Sequence, residues 1–334
     1  MGQPGRYAGG DGLNLMSDKN HGFRTRLSHA GRAGTKSLGF VNPGVHRGST
    51  VLFPDLASRA ANRARRSEQV LTYGTQGGQT HWALEDMICE IEGGSRALIV
   101  GTGLAAVTLP LMAYLQGGDH CLMLDSCYGP ARNFCDHYLK HMGVETTYYH
   151  PNIDEAGIAA LIRPNTKLVY TESPGSHTFE LQDIPAIARA AHARGVKVLM
   201  DNTWGIHYFQ PFAHGVDVSI QALTKYVGGH SDILLGSVTV NSEADWQRVR
   251  SMASLHGHYA SPDDCWLALR GARTMAVREI SVGTARLSYP PQEEPMPNNC
   301  SASINALIFA CVTSGLNTTP NSEDAPVKSR RHNS

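Results

Sequence analysis

From about Thr80 onward, short apolar runs alternate with stretches in which apolar residues recur at helical spacing. Continuous apolar or β-branched runs predict buried strands, whereas apolar residues three and four positions apart predict helices. Seven strands are predicted, at residues 97–100, 121–124, 145–149, 167–170, 196–200, 216–220 and 233–240. Helices are predicted between them, at about 80–88, 104–115, 131–141 and 184–193. This alternation predicts an α/β fold with a mostly parallel seven-stranded sheet flanked by helices.

Local signals set the ends of this pattern. Thr80 is predicted to cap the first helix, and Gly93 with Gly94 to end it. After about Arg278 the alternation is lost, because the prolines of residues 288–297 lack a backbone donor and clash with a preceding helical turn. We therefore expect the ordered α/β region to end near Arg278.

The composition favours a globular protein that acts on small molecules. The 334 residues include 29 basic and 29 acidic side chains, spread evenly, so nucleic-acid or membrane-surface binding is not indicated. The seven cysteines form no C-x-x-C pair and no metal-ligand spacing, which is typical of reduced thiols. The chain shows no apolar signal region and no run long enough to cross a bilayer. We expect a cytoplasmic protein without a metal site.

Lys225 and Asp201 together indicate a specific chemistry. Asp201 directly follows one predicted strand, and Lys225 lies a few residues beyond the next. A lysine amine can hold the aldehyde of pyridoxal 5'-phosphate as a Schiff base, while a carboxylate keeps the pyridine nitrogen protonated. Either residue alone has an ordinary structural explanation, because many strands end in Asp and most lysines are solvated. The pair predicts a cofactor site.

Three further positions fit the same cofactor. Gly103 lies in a glycine turn where a strand leads into a helix, and the backbone amides of such a helix start can bind a phosphate. Tyr128 follows the next strand and can stack on a pyridine ring. Thr224 offers a hydroxyl to the phosphate. Without Lys225, each of these features is as easily explained as an ordinary turn, loop or strand end.

Several short motifs occur in a defined order along the chain: Tyr73-Gly74, Glu92-Gly93-Gly94, Glu172-Ser173-Pro174-Gly175-Ser176, Asp201-Asn202-Thr203-Trp204, Thr224-Lys225-Tyr226 and Gly229-His230-Ser231-Asp232. In these motifs the chain resembles the pyridoxal-phosphate enzymes of cysteine and methionine metabolism, from about residue 23 to about residue 278. The variants at 172–176 and 229–232 are similar to the cystathionine β-lyase branch rather than the γ-synthase or γ-lyase branches.

The resemblance implies a domain organisation. It implies an aspartate-aminotransferase-like fold (fold type I) with a disordered segment at 1–22, an N-terminal arm at 23–72 and a pyridoxal-phosphate-binding large domain at 73–278. The tail at 279–334 does not match the family and is expected to be poorly ordered. Most of the family's small C-terminal domain would then be missing.

The resemblance also implies roles for single residues. Lys225 would bind the cofactor and then act as the general base, Asp201 would hold the pyridinium, and Tyr128 would stack on the ring. The implied phosphate-binding residues are Gly103, Leu104 and Thr224. Tyr73 would reach into the site of a neighbouring subunit, since such enzymes are typically homotetramers built as dimers of dimers.

The implied activity is that of a carbon–sulfur lyase. It would convert L-cystathionine to homocysteine, pyruvate and ammonia by β-elimination, as in methionine biosynthesis and transsulfuration. A γ-lyase or γ-synthase of the same family is the alternative within the enzyme class. A truncated, catalytically impaired remnant that still binds the cofactor is the alternative outside it.

Two departures from the family pattern motivate that second alternative. Thr75 stands where the family usually has an arginine that pairs with the phosphate from across the dimer. A threonine cannot replace the charged bidentate bonds of a guanidinium, so weaker cofactor binding is expected. The family's carboxylate-binding arginine also has no match, because Arg286, Arg330 and Arg331 all lie in the unmatched tail.

Overall fold

A seven-stranded sheet lies at the centre of the computed structural model, which describes residues 21–32, 39–176 and 178–281. The strands are β1 (Arg96–Val100), β2 (His120–Leu124), β3 (Glu145–Tyr149), β4 (Thr166–Glu172), β5 (Lys197–Asp201), β6 (Val218–Gln221) and β7 (Gly236–Val240). Their order across the sheet is β1-β7-β6-β5-β4-β2-β3. Only β7 runs against its two neighbours, and the other described pairs are parallel. The predicted mostly parallel sheet is confirmed.

Helices cover both faces of this sheet. They are α1 (Phe23–His29), α2 (Leu56–Ala64), α3 (Gln79–Glu92), α4 (Gly103–Tyr114), α5 (Gly129–Asn133), α6 (Glu155–Leu161), α7 (Ile184–His192), α8 (Glu243–Leu255) and α9 (Pro262–Ser281). Short 3-10 turns lie at Gly74–Gln76, Ile206–Tyr208 and Pro211–His214. The α/β class predicted from alternating apolar runs is therefore present.

Two apolar clusters hold these layers together. The larger packs the strands of the sheet against α4, α7 and α8. The smaller packs α1, α3 and α9 against the segment after β6 that carries Lys225. Met87 and Ile88 of α3 are fully buried in it, and burying one such side chain stabilises a fold by about 1.5–3 kcal/mol. Because α9 packs in this cluster, it belongs structurally to the sheet domain.

Some predicted boundaries are wrong. Helix α3 begins after Gly78, so Thr80 does not cap it. The Thr80 hydroxyl instead donates to the carbonyl of Gly44 and accepts from the N–H of His46, at 2.8 and 2.9 Å. The predicted helix at 131–141 begins at Gly129 and continues through a wider π-helical segment, Phe134–Leu139. The last strand begins at Gly236 rather than at residue 233.

The region predicted as an arm, residues 23–72, has two parts with different surroundings. Helix α1 packs against α3 and α9 through the buried Leu27. Phe40, Leu52 and Leu56 are instead largely exposed. The predicted disordered start at 1–22 and the tail at 279–334 lie almost wholly outside the described residues. Among the helices of the described ranges, none is both long and apolar enough to cross a membrane.

Candidate cofactor site

The predicted site residues other than Tyr73 lie at one end of the sheet, where several strands finish. Strands β1, β2, β4, β5 and β6 run in the same direction and all end there. Loops at the carboxyl ends of such strands form the usual ligand site of an open α/β sheet. Asp201 ends β5, Lys225 follows β6, Gly103 follows β1 and Tyr128 follows β2. The sheet topology therefore brings together positions far apart in the sequence.

Lys225 lies in a tight turn directly after β6. Its N–H donates to the carbonyl of Ala222 at 3.0 Å, and its carbonyl accepts from the N–H of Gly229 at 2.7 Å. The side chain is exposed, so its amine is accessible to a ligand. The guanidinium of Arg278 donates to the carbonyl of Tyr226 at 2.8 Å. Helix α9 thus supports the turn that carries the lysine.

Asp201 is a buried carboxylate beside this turn. It is 7% exposed and accepts a hydrogen bond from the N–H of Thr203 at 3.0 Å. The Thr203 hydroxyl accepts from the N–H of Ala222 at 2.9 Å, which ties the two loops together. Burial raises the pKa of Asp201 above its ordinary value. No lysine or arginine of the described ranges forms an ion pair with it.

The loop after β2 presents Tyr128 to solvent, with its side chain 42% exposed. Its backbone N–H donates to the carboxyl Oε2 of Glu172 at 2.7 Å. Glu172 ends β4 and pairs in register with Asp201 on β5. Sequence reasoning missed this contact, although a carboxylate two residues beyond the predicted strand at 167–170 was a signal for it.

The start of α4 has the features of a phosphate cradle. Thr102 caps this helix and accepts the N–H of Ala105 at 3.0 Å. The N–H groups of Gly103 and Leu104 lie in the first turn, where an α-helix has no internal acceptor for them. A Cβ on Gly103 would lie 2.7 Å from the Cβ of Ala222. A glycine therefore lets the helix start approach the lysine turn closely.

The Thr224 hydroxyl, predicted to bind the phosphate, is already hydrogen-bonded within the protein. Its hydroxyl donates to the carbonyl of Leu235 at 3.1 Å and accepts from the N–H of the same residue at 3.0 Å. These bonds connect the lysine turn to the segment that leads into β7. The hydroxyl would have to turn away from Leu235 to donate to a phosphate.

Tyr73 is not brought to this site within one chain. It is half exposed, and the next residue, Gly74, donates its N–H to the carbonyl of Ser49 at 2.7 Å. No described hydrogen bond or ring contact joins Tyr73 to Lys225 or Tyr128. Thr75 is exposed in the same turn. Their action across a subunit boundary remains a prediction, and Arg286, Arg330 and Arg331 lie outside the described residues.

An aromatic group beside the lysine was not predicted. Trp204 lies between Phe179 and Tyr226, with ring centroids 5.1 Å and 6.0 Å away. Tyr226 directly follows Lys225, and Trp204 closes the motif that begins with Asp201. The sequence placed Trp204 and Tyr226 near predicted site residues, but only the fold shows that Trp204 contacts both Phe179 and Tyr226.

The residues present fit pyridoxal phosphate. A buried carboxylate without a described ion pair, Asp201, suits a protonated pyridine nitrogen, and the exposed Lys225 amine suits an aldehyde. The glycine at the start of α4 leaves its first amides open to a phosphate. Tyr128 is exposed at the same end of the sheet, so its ring is accessible to a flat ligand.

Known proteins share this architecture and sequence. Residues 24–282 match the family described as Cys/Met metabolism PLP-dependent enzyme. A Rhizobium johnstonii protein provisionally named as a cystathionine beta-lyase is 51% identical, over 79% of this chain and 66% of its own length. The cystathionine beta-lyase MetC of Escherichia coli is 38% identical over the same shares. This chain therefore spans slightly less than two thirds of these relatives.

A solved structure gives the same picture. Cystathionine gamma-lyase from Lactobacillus plantarum, complexed with L-serine, superposes with a TM-score of 0.71 at 29% sequence identity. The superposition covers 77% of this chain and 65% of the other. The expected fold, a large α/β domain of the fold type I class, is confirmed.

Proposed function

The chain belongs to the Cys/Met metabolism family of pyridoxal-phosphate-dependent enzymes, and from this we propose that it is a carbon–sulfur lyase that cleaves L-cystathionine by β-elimination. The products would be homocysteine, pyruvate and ammonia. One observation carries the proposal: the exposed Lys225 and the buried Asp201, which forms no ion pair with a described lysine or arginine, lie at the same end of the sheet as the glycine-containing start of α4.

When bound, pyridoxal phosphate supplies an electron sink for negative charge at the substrate α-carbon. Lys225 would hold the aldehyde end, and its amine would act as general base toward the α-proton. Asp201 holds the pyridine nitrogen with its buried negative charge. Tyr128 covers the ring, because its backbone is fixed by Glu172 while its side chain is exposed.

The amides of Gly103 and Leu104 would bind the phosphate, helped by the hydroxyl of Thr224. A helix start supplies both donors and a positive dipole end, each favouring a negative group. Thr75 supplies no charge, so this chain depends on the cradle more than a relative with an arginine there would. We expect cofactor binding that is weaker but still measurable.

We also infer that the functional unit contains more than one subunit. Phe40, Leu52 and Leu56 leave apolar surface exposed in the single chain, and a second copy would cover it. Tyr73 follows this segment and has no described contact with Lys225, so it is available to a neighbouring site. A tetramer made of two such dimers is the proposed assembly, with small-molecule substrates and without nucleic-acid or membrane partners.

A cytoplasmic location suits this chemistry. Five cysteines of the described ranges are free thiols: Cys89, Cys121, Cys127, Cys135 and Cys265. Free thiols are the usual state in a reducing compartment.

The first experiment measures cofactor binding by the purified full chain. Incubation with pyridoxal phosphate should produce the visible absorbance band of lysine-bound cofactor, and Lys225→Ala should abolish it. Lys167→Ala is the matched control, because Lys167 is exposed at the end of β4 that lies away from the candidate site. A wild-type protein that stays colourless would contradict the proposal.

The second measurement identifies the reaction. Release of pyruvate from L-cystathionine, faster than with free cofactor, supports β-elimination. Release of cysteine and 2-oxobutyrate would instead identify a γ-lyase, the activity named for the structural neighbour from Lactobacillus plantarum. A coloured protein without turnover would identify the remnant that retains cofactor binding alone.

A further inference from the structure

Glu172 occupies a central place among the residues of the cofactor site. It is 2% exposed at the end of β4 and lies in register beside Asp201. Its Oε2 accepts the backbone N–H of Tyr128 at 2.7 Å, and its Oε1 shares a hydrogen bond of 2.6 Å with the hydroxyl of Ser176, which can accept when Glu172 is protonated. The Glu172 carboxyl thus contacts the loop that carries Tyr128 and lies beside Asp201.

We propose that Glu172 is a positioning residue of this site, which fixes the loop of Tyr128 and carries a proton so that Asp201 remains the charged carboxylate. This inference rests on the proposed function, because it assumes that Asp201 and Tyr128 hold pyridoxal phosphate. Glu172 itself acts through these two neighbours and through Ser176.

The first role, fixing the Tyr128 loop, is called the mechanical part and follows from two contacts between the same loops. Besides the bond from Tyr128 to Glu172, Gly175 lies directly against the loop that follows β2. A Cβ on Gly175 would lie 2.4 Å from the Oγ of Ser126. Two fixed points, two residues apart on this loop, leave the backbone of Tyr128 little freedom to move. The backbone position of Tyr128 is therefore restrained by the segment from Glu172 to Gly175.

The second role, holding a proton so that Asp201 stays charged, is called the electrostatic part and follows from burying two carboxyls side by side. No lysine or arginine of the described ranges forms an ion pair with Glu172 or Asp201. Two such groups cannot both carry a charge at low cost, so the pair retains a proton. Burial raises the pKa of both, and the charge of Asp201 raises that of Glu172 further. Asp201 is the member of the pair that would face the positively charged pyridine nitrogen, which favours the charge on Asp201 and leaves the proton on Glu172.

Other titratable groups near the pair do not compete for this proton. Cys127 on the loop after β2 and Tyr170 on β4 also interact with Glu172. Burial raises the pKa of the Cys127 thiol to about 12 and that of the Tyr170 phenol far above its ordinary value. Both stay neutral around neutral pH. Among the described residues, Asp201 is the group whose charge changes the pKa of Glu172 in that range.

Two substitutions separate the mechanical part from the electrostatic part. Glu172→Gln keeps the size, an acceptor for the N–H of Tyr128 and a polar contact with Ser176, but cannot lose a proton. Glu172→Ala removes both contacts. Glu155→Gln is the control, since Glu155 is an exposed carboxylate on α6.

The cofactor-free protein tests the mechanical part by amide hydrogen exchange. Glu172→Ala should speed exchange at the Tyr128 amide at least about tenfold, whereas Glu172→Gln and Glu155→Gln should leave it within about threefold of wild type. Unchanged exchange in Glu172→Ala would overturn this part. If Glu172→Ala does not fold, a tenfold rise in Glu172→Gln would overturn it and wild-type exchange there would support it.

The loaded protein tests the electrostatic part by a pH titration of the visible band. In wild type and Glu155→Gln the visible band should change at the pH where Glu172 loses its proton, above the ordinary pKa of a glutamate. Glu172→Gln should lack this step. The same step in Glu172→Gln would overturn this part. If even wild type forms no band, the proposed function fails, and a carboxyl titration of the cofactor-free protein by NMR decides whether Glu172 holds the proton.

Discussion

Gly103 shows how a single residue decides whether the cofactor cradle can form. Alanine there would place its Cβ 2.7 Å from that of Ala222, well inside the ordinary contact distance of about 3.5–4.0 Å between carbon atoms. Either the start of α4 or the lysine turn must then move. We expect Gly103→Ala to weaken pyridoxal-phosphate binding about tenfold, measured by titration of the visible band.

Gly129 provides the control for this substitution. It also opens a helix after a strand, but a Cβ there meets nothing within 4 Å. Gly129→Ala should therefore bind the cofactor within about twofold of wild type. Equal losses in the two variants would mean that any added methyl at a helix start is harmful, and that the contact with Ala222 is not the cause.

Single residues were predictable from sequence where their chemistry is local. Lys225 and Asp201 were identified because an amine and a carboxylate after successive strands suit one cofactor. Glu172 was visible only as part of a motif, since its role depends on the lateral pairing of β4 with β5. Sequence spacing does not give that register, and the hydrogen bond to Tyr128 spans 44 residues.

Helix α9 packs directly against the lysine turn. A Cβ on Gly271 would lie 2.1 Å from the carbonyl oxygen of Gly228 and 2.4 Å from that of Val227. Helix propensity alone would favour alanine over glycine by about 1 kcal/mol. The overlap should outweigh this gain, because forcing extra atoms into a packed contact costs about 1–3 kcal/mol.

Gly271→Ala should therefore lower the free energy of unfolding by about 1 kcal/mol or more, measured by urea denaturation, and slow formation of the visible band. Gly48→Ala is the control, because a Cβ on Gly48 meets nothing within 4 Å. An equally stable Gly271→Ala protein would show that α9 can move away from the turn without loss. The role assigned to α9 as a support for Lys225 would then be wrong.

At the scale of elements, strands were predicted better than helix ends. Buried parallel strands are continuous apolar runs, and all five residues of β2 are buried, so composition alone marks them. The start of α3 was wrong because Thr80 bonds to Gly44 and His46, residues more than thirty positions earlier. Such long-range bonds override the local capping preference.

At the scale of the whole molecule, buried carboxyls make folding stability depend on pH. Glu85 on α3 is buried, and its described hydrogen bond, from the side chain of Gln69, is long at 3.4 Å. Burial raises its pKa from 4.5 to about 7. Glu92, at the end of the same helix, has a pKa raised to about 8, also by burial. In the unfolded chain both groups would ionise near their ordinary values.

The sign of the effect follows from proton binding. Between pH 4.5 and about 7 the folded protein holds a proton on Glu85 that the unfolded chain has lost. Unfolding then releases a proton, so the free energy of unfolding falls as pH rises through this window. Above pH 7 the buried Glu85 lowers the free energy of unfolding by its full amount. One pKa unit corresponds to about 1.4 kcal/mol of this free energy.

Glu85→Gln should remove this part of the pH dependence. Relative to wild type, the variant should gain about 2 kcal/mol between pH 5 and pH 8, measured by urea unfolding of the cofactor-free protein. Glu145→Gln should show no such gain, because Glu145 is an exposed partner of Arg163. Glu92 and Glu172 still titrate in the variant, so some loss of stability with rising pH must persist. A constant difference between wild type and Glu85→Gln at both pH values would mean that Glu85 is already ionised in the folded protein at pH 5.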